Sequence, residues 1–189
     1  MFDKLSSVER ETVVRAALKL LNEVGVDGLT TRRLAEELGV KQPALYWHFK
    51  NKQELLDEMA EAMLAGTLER IDVPEPGQAW DNWLMERGRV IRRTLLSYRD
   101  GALVHAGSRP TPRRLAQVPE LIRPLTDAGF TPEQAIRGLI SVGRFALGSA
   151  IDERGAPVPL EARPEEDPDG DFEFGLSALV SGLRHILEG

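Results

Sequence analysis

Apolar residues recur at intervals of three and four over most of this chain, which is the spacing of amphipathic helices. Near the start, that spacing is met by Val14, Ala17, Leu18 and Leu21. A first helix is predicted from Ser6 or Ser7 to about Val24. The strict alternation of apolar and polar residues that indicates a strand is nowhere sustained, so we predict an all-α fold.

Caps and prolines divide the rest of the chain. Asn51 and Glu54 are spaced as a capping box for a helix over 51–70. Val73–Gly77 contains two prolines and is the first clear break. Further helices are predicted over 78–97, within 99–112, and over 113–128, 132–152 and 171–187. We expect prolines to kink or split the helix over 113–128, and we expect a proline-rich acidic loop over 153–170.

A pair of short helices is predicted over about 30–49. Thr30 or Thr31 caps the first helix, and Gly39 ends it. Pro43 starts the second helix, so that Gln42 is its N-cap. Two helices joined by a short turn with a glycine form a helix-turn-helix. The alternative is an ordinary pair of surface helices.

The side chains of this pair suit DNA. Its front carries Lys41, Gln42, Ala44 and Tyr46, and it is flanked by Arg32, Arg33, His48, Lys50 and Lys52. A glutamine pairs bidentately with adenine, an alanine contacts the thymine methyl group, and lysines contact phosphates. We predict that Trp47, close to Leu45, packs in the core, whereas Tyr46 stays open between core and base contact.

Net charge is −6 over the 189 residues, which at first argues against nucleic acid. The charge is unevenly distributed, however. Residues 1–52 hold nine Lys and Arg against seven Asp and Glu, a balance of +2, so the remainder carries −8. The basic balance therefore coincides with the helix pair.

Other protein classes are disfavoured. The chain has no cysteine and no apolar run of the ~20 residues that a membrane span needs. The three histidines lie in no recognisable catalytic arrangement, so we predict no catalytic residues, although an enzyme remains the competing class. A cytoplasmic protein is expected.

The runs GLTTRRLAEELGV and QPALYWHFKNKQELLD resemble the tetracycline-repressor (TetR) family of bacterial transcription regulators. The resemblance implies DNA contacts at Thr31, Arg32, Gln42, Pro43, Ala44, Tyr46, His48 and Lys52. Of these, Arg32 would read a base, and Thr31, His48 and Lys52 would hold phosphates. Ala44 and Lys41 depart from the tetracycline-binding subgroup, so a different operator sequence is expected.

The run LLSYRDGALVHAGSRPT resembles that same tetracycline-binding subgroup. The resemblance implies effector contacts at Leu68, Arg87, Ile91, His105, Ser108 and Asp152. His105 would bind the magnesium of a magnesium–drug chelate, or it is a turn histidine bonded to backbone. Leu68 and Arg87 replace a histidine and an asparagine of the subgroup, Ile91 replaces a phenylalanine, and Leu121 replaces a glutamine. We therefore predict an effector other than tetracycline and no required cofactor, with a magnesium-chelated effector left open. Arg87 favours an acidic or phenolic compound, or is simply a solvated charge.

These elements predict two domains. Residues 1–52 form the DNA-binding head, 51–70 a linker helix, and 71–189 an effector-binding and dimerisation domain. The last two long helices carry a large apolar surface, which we interpret as a homodimer interface rather than an intrachain core. The predicted function is a repressor released from a palindromic operator by a small molecule, and an activator of the same fold is the alternative.

Overall fold

The computed structural model describes residues 9–154 and 167–188. The predicted cap at Ser6 or Ser7 and most of the predicted loop over 153–170 lie outside these ranges. The described residues form helices and no strands, which confirms the all-α prediction. The helices are α1 Arg10–Gly28, α2 Thr31–Leu38, a 3₁₀ helix Gln42–Trp47, α3 Lys52–Leu68, α4 Trp80–Ser97, α5 Gly101–Ala106, α6 Pro112–Ala116, α7 Val118–Asp127, α8 Pro132–Asp152 and α9 Pro168–Glu188. No described helix is long and apolar enough to cross a membrane.

The chain divides into two compact units whose limits differ from the predicted ones. The first unit combines residues 1–65 with 95–112, and the second combines 66–94 with 113–189. Residues 95–112 belong to the first unit because they are hydrogen-bonded to α1. The Arg99 backbone N–H donates to Asn22 Oδ1 at 2.8 Å, and the Val26 N–H donates to Asp100 Oδ2 at 2.9 Å.

The core of the first unit lies between α1, α2, the 3₁₀ helix and α3. Its largest fully buried side chains are Leu21, Leu29, Leu34, Met59 and Val13. Leu18, predicted to be buried, packs at the edge of this core. Helix α1 extends past the predicted end at Val24, with a break at Gly25, where φ is +73°. A Cβ there would meet Asp100 Oδ2 at 2.7 Å, so both the conformation and the close approach require glycine.

The predicted helix pair is present, with one change. Thr30 Oγ1 accepts from the Arg33 N–H at 3.2 Å, and Gly39 ends α2 in the left-handed conformation, as predicted. The second helix is a 3₁₀ helix, and Lys41 rather than Gln42 precedes it. The Ala44 N–H donates to the Lys41 carbonyl at 2.9 Å and the His48 N–H to the Leu45 carbonyl at 3.0 Å, which is the three-residue spacing of a 3₁₀ helix.

The predicted capping box of α3 is half formed. Asn51 Oδ1 accepts from the Glu54 N–H at 2.9 Å, but the Glu54 carboxylate accepts from the Lys50 N–H at 2.8 Å rather than from that of Asn51. The helix ends at Leu68 rather than about Arg70. Its buried stripe contains Leu55, Met59 and Met63.

The second unit contains most of α4 together with α7, α8, α9 and most of α6. The helix predicted over 113–128 is split into α6 and α7, with a proline in the first turn of α7 and another inside it. Helix α8 has the predicted bounds and a full capping box between Thr131 and Gln134. Helix α9 begins at Pro168, ahead of the predicted Asp171, because the Asp167 carboxylate accepts from the Gly170 N–H at 2.9 Å.

Close packing of α4, α8 and α9 forms the core of the second unit. A Cβ on Gly88 of α4 would lie 3.0 Å from both Leu176 of α9 and Val142 of α8. Phe145 and Phe172 stack with ring centroids 5.4 Å apart, and Trp80 meets the Phe130 ring edge-on at 4.9 Å. This core holds the outer faces of α8 and α9 in fixed positions.

Candidate nucleic-acid interface and effector positions

The 3₁₀ helix is anchored by two side chains and presents the others outward. Leu45 and Phe49 are buried, whereas Tyr46 is 53% exposed and Trp47 is 87% exposed. The predicted burial of Trp47 is therefore wrong. With three residues per turn, Trp47 cannot face inward together with Leu45, and Phe49 fills the core in its place. The apolar spacing of Leu45 and Phe49 is the signal that would have identified the inward face.

The predicted DNA contacts gather on one part of the first unit, at the starts of α2 and α3 and along the 3₁₀ helix. Gln42, Pro43 and Lys52 are exposed, and Ala44 and His48 are half-buried. Arg32 Nε donates to Glu36 Oε1 at 3.0 Å, and its side chain remains 82% exposed. Gln42 Nε2 donates to Thr31 Oγ1 at 2.8 Å. This surface combines amide, aromatic and cationic groups.

Arg10, which no motif in the sequence singled out, holds this surface in place. Its guanidinium donates to the His48 carbonyl and, at 2.8 Å each, to Glu54 and Glu58, and it stacks 4.5 Å over the Phe49 ring. Burial lowers the pKa of Arg10, but the two carboxylates outweigh burial and raise it. The hydrogen bond from Arg10 lowers the pKa of Glu54. A single side chain thus connects α1, the end of the 3₁₀ helix and α3.

A hydrogen-bonded ladder connects α3 to residues 107–111. Gln53 donates to the Gly107 carbonyl at 2.8 Å, and Asp57 accepts from the Arg109 N–H at 2.9 Å. Glu61 accepts from the Thr111 hydroxyl. The three α3 residues are spaced by four and therefore lie on one stripe of the helix.

His105 and Ser108 belong to this same segment of the first unit. The Ser108 hydroxyl donates to the His105 carbonyl at 2.8 Å, and both residues are half-buried. The end of α5 and the residues that follow it, which include both predicted effector contacts, therefore adjoin the residues that are hydrogen-bonded to α3.

The remaining predicted effector residues lie in the second unit. Leu68 and Ile91 are buried, and Asp152 is exposed at the end of α8. The alternative that Arg87 is a solvated charge is wrong, because the residue is 4% exposed and pairs with Asp72. Burial lowers the pKa of Arg87, and Asp72 opposes this. The neighbouring Trp83 Nε1 donates to the Ile71 carbonyl at 2.7 Å, so α4 holds the segment that follows α3.

The chain supplies little for a metal ion. Among residues 9–154 and 167–188, no three histidine or acidic side chains are grouped to hold one. A single imidazole at His105 falls short of the oxygen-rich coordination that magnesium prefers. A magnesium ion at His105 would therefore have to arrive with its other ligands, as part of an effector.

Comparison with known proteins agrees with this geometry. A family model described as bacterial regulatory proteins of the tetR family matches residues 13–59, and one described as a tetracyclin repressor-like C-terminal domain matches 73–168. The chain is 43% identical to the tetracycline repressor protein class A from transposon 1721 of Escherichia coli, over 95% of this chain and 92% of that protein.

Two solved structures show related chains with ligands. The chain is 45% identical to TetR (class A) in complex with 5a,6-anhydrotetracycline and magnesium, with a TM-score of 0.78 over 94% of this chain and 99% of that one. It is 34% identical to BioQ bound to its double-stranded DNA operator, with a TM-score of 0.69 over 94% and 98%. With both family models and nearly the whole length matched, the chain belongs to the TetR family of bacterial regulatory proteins.

Proposed function

We propose that two copies of this chain bind a palindromic operator as a repressor and that a small molecule releases them. The observation that carries the proposal is the outward front of the 3₁₀ helix, where Gln42, Tyr46 and Trp47 are exposed beside Arg32 and Lys52. Amide and aromatic groups suit base edges in the major groove, and the flanking cationic groups suit phosphates. The relatives of this chain are transcription regulators rather than enzymes.

Exposed Trp47 adds a residue to the DNA surface predicted from the sequence. An indole that is 87% exposed next to Tyr46 and His48 has little packing role in the isolated chain. Aromatic side chains at such positions gain contact area when a partner covers them. We therefore place Trp47 at the DNA interface, where operator binding would cover the indole.

The outer faces of α8 and α9 support a homodimer. They expose Ile136, Ile140, Phe174 and Ile186. A Cβ added at Gly143, Gly148 or Gly182 would meet no atom within 4 Å, so a second helix has room to approach there closely. Contact between identical copies of this face would form a four-helix bundle with two-fold symmetry. Such a dimer places two reading helices about 34–36 Å apart, over successive turns of a palindrome.

Effector action follows from the ladder on α3. An effector that contacts His105 or Ser108 would displace residues 107–111, which are bonded to Gln53, Asp57 and Glu61 of α3. Movement of α3 would then shift its first turns, and the 3₁₀ helix would move with them because Arg10 bonds both. The two reading helices would leave their one-turn spacing. The effector must bind this displaced state more tightly than the operator-bound state, or no release occurs.

The effector is expected to differ from tetracycline. The buried residues Leu68 and Leu121 offer no polar group, and Arg87 is already paired with Asp72. A polar ligand group that loses its partner in a buried site costs about 1–3 kcal/mol. Three such losses would weaken binding of the same drug strongly.

DNA binding is tested by selecting duplexes from a palindromic random library and measuring their affinity by fluorescence anisotropy of labelled duplexes. We expect one enriched palindrome, bound with an affinity that falls steeply as salt increases. The matched control is a scrambled duplex of the same composition. Equal affinity for the palindrome and the scrambled duplex would refute the proposal.

Effector identity is tested separately on the same complex. Tetracycline with magnesium is added to the operator complex, and release is followed by fluorescence anisotropy. We expect no release at concentrations that fully dissociate the class A tetracycline repressor used as a positive control. Release of both proteins at the same concentration would show that the polar replacements do not change the effector.

A further inference from the structure

One hydrogen bond joins the starts of the two helices in the helix-turn-helix. Gln42 Nε2 donates to Thr31 Oγ1 at 2.8 Å, although the residues are eleven positions apart. Thr31 is the first residue of α2 and half-buried, whereas Gln42 is the first residue of the 3₁₀ helix and exposed. The bond therefore connects the half-buried Thr31 to the exposed side chain that is proposed to contact a base.

We infer that Thr31 is a positioning residue that orients the amide of Gln42 for base recognition, an inference that rests on the proposed DNA-binding function. A glutamine amide has two N–H donors and one carbonyl oxygen. Bidentate pairing with adenine uses one N–H and the oxygen. Thr31 takes the other N–H, so the reading pair stays available while the amide is held.

Holding the amide has an energetic consequence. A free, exposed glutamine samples several rotamers, and binding must select one of them, which lowers affinity for the correct base. The bond to Thr31 restricts the rotamers before DNA arrives. The bond also turns the amide nitrogen of Gln42 toward Thr31. It therefore disfavours the amide orientation rotated by 180°, in which the N–H donor and the carbonyl acceptor would have exchanged places.

The neighbouring side chains of α2 have different partners. Arg32 donates to Glu36 on its own helix at 3.0 Å, and Arg33 donates to the Gly28 carbonyl at 3.2 Å. The Thr31 hydroxyl keeps its own hydrogen, which can be donated to a DNA phosphate. Thr31 would then connect the phosphate contact that fixes register to the base contact that specifies sequence.

The experiment compares discrimination with overall affinity in the full-length protein. Thr31→Val removes the hydroxyl at almost constant shape, Thr31→Ser keeps it, and Gln42→Ala identifies the base pair that Gln42 reads. Dissociation constants are measured for the selected operator and for duplexes altered at that base pair and at one distant base pair. Thr31→Ala serves as a second variant without the hydroxyl, and circular dichroism confirms that each variant is folded.

We expect Thr31→Val and Thr31→Ala to reduce discrimination at the Gln42 base pair by about two- to tenfold, with preference at the distant pair unchanged. Thr31→Ser should retain discrimination. In the Gln42→Ala background, Thr31→Val should cause no further loss of discrimination at this base pair, because the two residues act as one unit in reading it.

Two results would overturn the inference while leaving the proposed function intact. The first is a uniform loss of affinity for all duplexes with unchanged discrimination, which is the behaviour of a phosphate contact alone. The second is a full additional loss of discrimination for Thr31→Val in the Gln42→Ala background. A wild-type protein without sequence preference would instead refute the proposed function itself.

Discussion

Neighbouring residues in this protein have opposite environments, and the difference separates anchoring from recognition. Leu45 and Phe49 are buried, whereas Tyr46 and Trp47 between them are exposed. In the second unit, Arg87 is buried and paired although its charge would favour solvent. A residue's chemical type therefore does not by itself predict its role, because the direction of its side chain decides which partners it meets.

Base and phosphate contacts should respond differently to mutation. Gln42→Ala is expected to cost about 1–3 kcal/mol on the selected operator and to relax preference at one base pair. Lys52→Ala should weaken binding to all sequences and lower the slope of log affinity against log salt by about one. Both are measured by anisotropy titrations at several salt concentrations. Indistinguishable behaviour of the two variants would contradict this assignment.

Removing one partner of the buried ion pair should destabilise the second unit. Arg87→Met leaves Asp72 with a side chain only 21% exposed and with the Arg114 guanidinium 3.8 Å away as a weaker countercharge. We expect a loss of about 3 kcal/mol in the free energy of unfolding, measured in urea at fixed protein concentration.

The double variant Arg87→Met with Asp72→Asn is the matched control for this ion pair. It removes the uncompensated carboxylate and should recover most of the lost stability. If the double variant were as unstable as the single one, packing of the arginine stem rather than its charge would be the cause.

At the scale of elements, helices are connected through a few polar side chains at their ends. Arg10 at the start of α1 bonds the end of the 3₁₀ helix and the first turns of α3. Gln53, Asp57 and Glu61 then bond residues 107–111 further along α3. Helix α3 is therefore connected through Arg10 to the 3₁₀ helix and, along a separate stripe, to the segment that follows His105 and α5. This arrangement suits α3 to transmit an effector signal.

The Arg10 connection predicts a dependence of stability on pH. The hydrogen bond from Arg10 lowers the pKa of Glu54 below its ordinary value of 4.5. A depressed carboxyl pKa stabilises the fold above the ordinary value, and this contribution is lost as pH falls through the folded-state pKa. The stability difference between wild type and Glu54→Gln should therefore be largest near neutral pH and shrink below pH 4.5.

Urea unfolding across this pH range measures the difference. Glu11→Gln is the control, because Glu11 pairs with Arg15 at 3.5 Å where both side chains are more than 70% exposed. Such an exposed pair contributes little to stability. A constant difference between wild type and Glu54→Gln at every pH would contradict the electrostatic role of the Arg10 connection.

At the scale of the whole molecule, two features bear on DNA binding: the uneven distribution of charge along the chain and the exposed apolar faces of α8 and α9. Residues 53–189 carry the −8 that offsets the +2 of residues 1–52. That acidic part discourages DNA contact away from the reading surface. The exposed Ile140 and Phe174 faces are explained if a second copy covers them. Each chain then supplies one half of a two-fold symmetric DNA-binding dimer.

Charges placed on this face should separate the dimer. Ile140→Glu combined with Phe174→Glu is expected to raise the dimer dissociation constant by at least about a hundredfold, because each substitution occurs twice in a symmetric interface. Light scattering after size exclusion measures the assembly, and operator affinity should fall with it. Leu115→Glu, at a residue 57% exposed on α6, is the matched control and should stay dimeric. A double variant that remained dimeric would exclude this interface.

Local signals predicted the elements well. Thr30 begins α2 and Gly39 ends it where the sequence indicates, because caps and glycine conformations act within one turn. Proline positions likewise predicted the division between α6 and α7. The sequence also indicated that the start of α2 and the second short helix form one functional surface.

The sequence alone determined that this chain is helical, where its helices lie to within a few residues, and which family motif it carries. Only the tertiary structure decided that Trp47 faces outward, that Arg87 faces inward and that residues 95–112 pack with the first unit. The tertiary structure also decided that Arg10 bonds His48 and that Thr31 bonds Gln42, across 38 and 11 positions of sequence. The physical reason is range: helix signals act between neighbours, whereas the direction of a side chain depends on residues that only folding brings near.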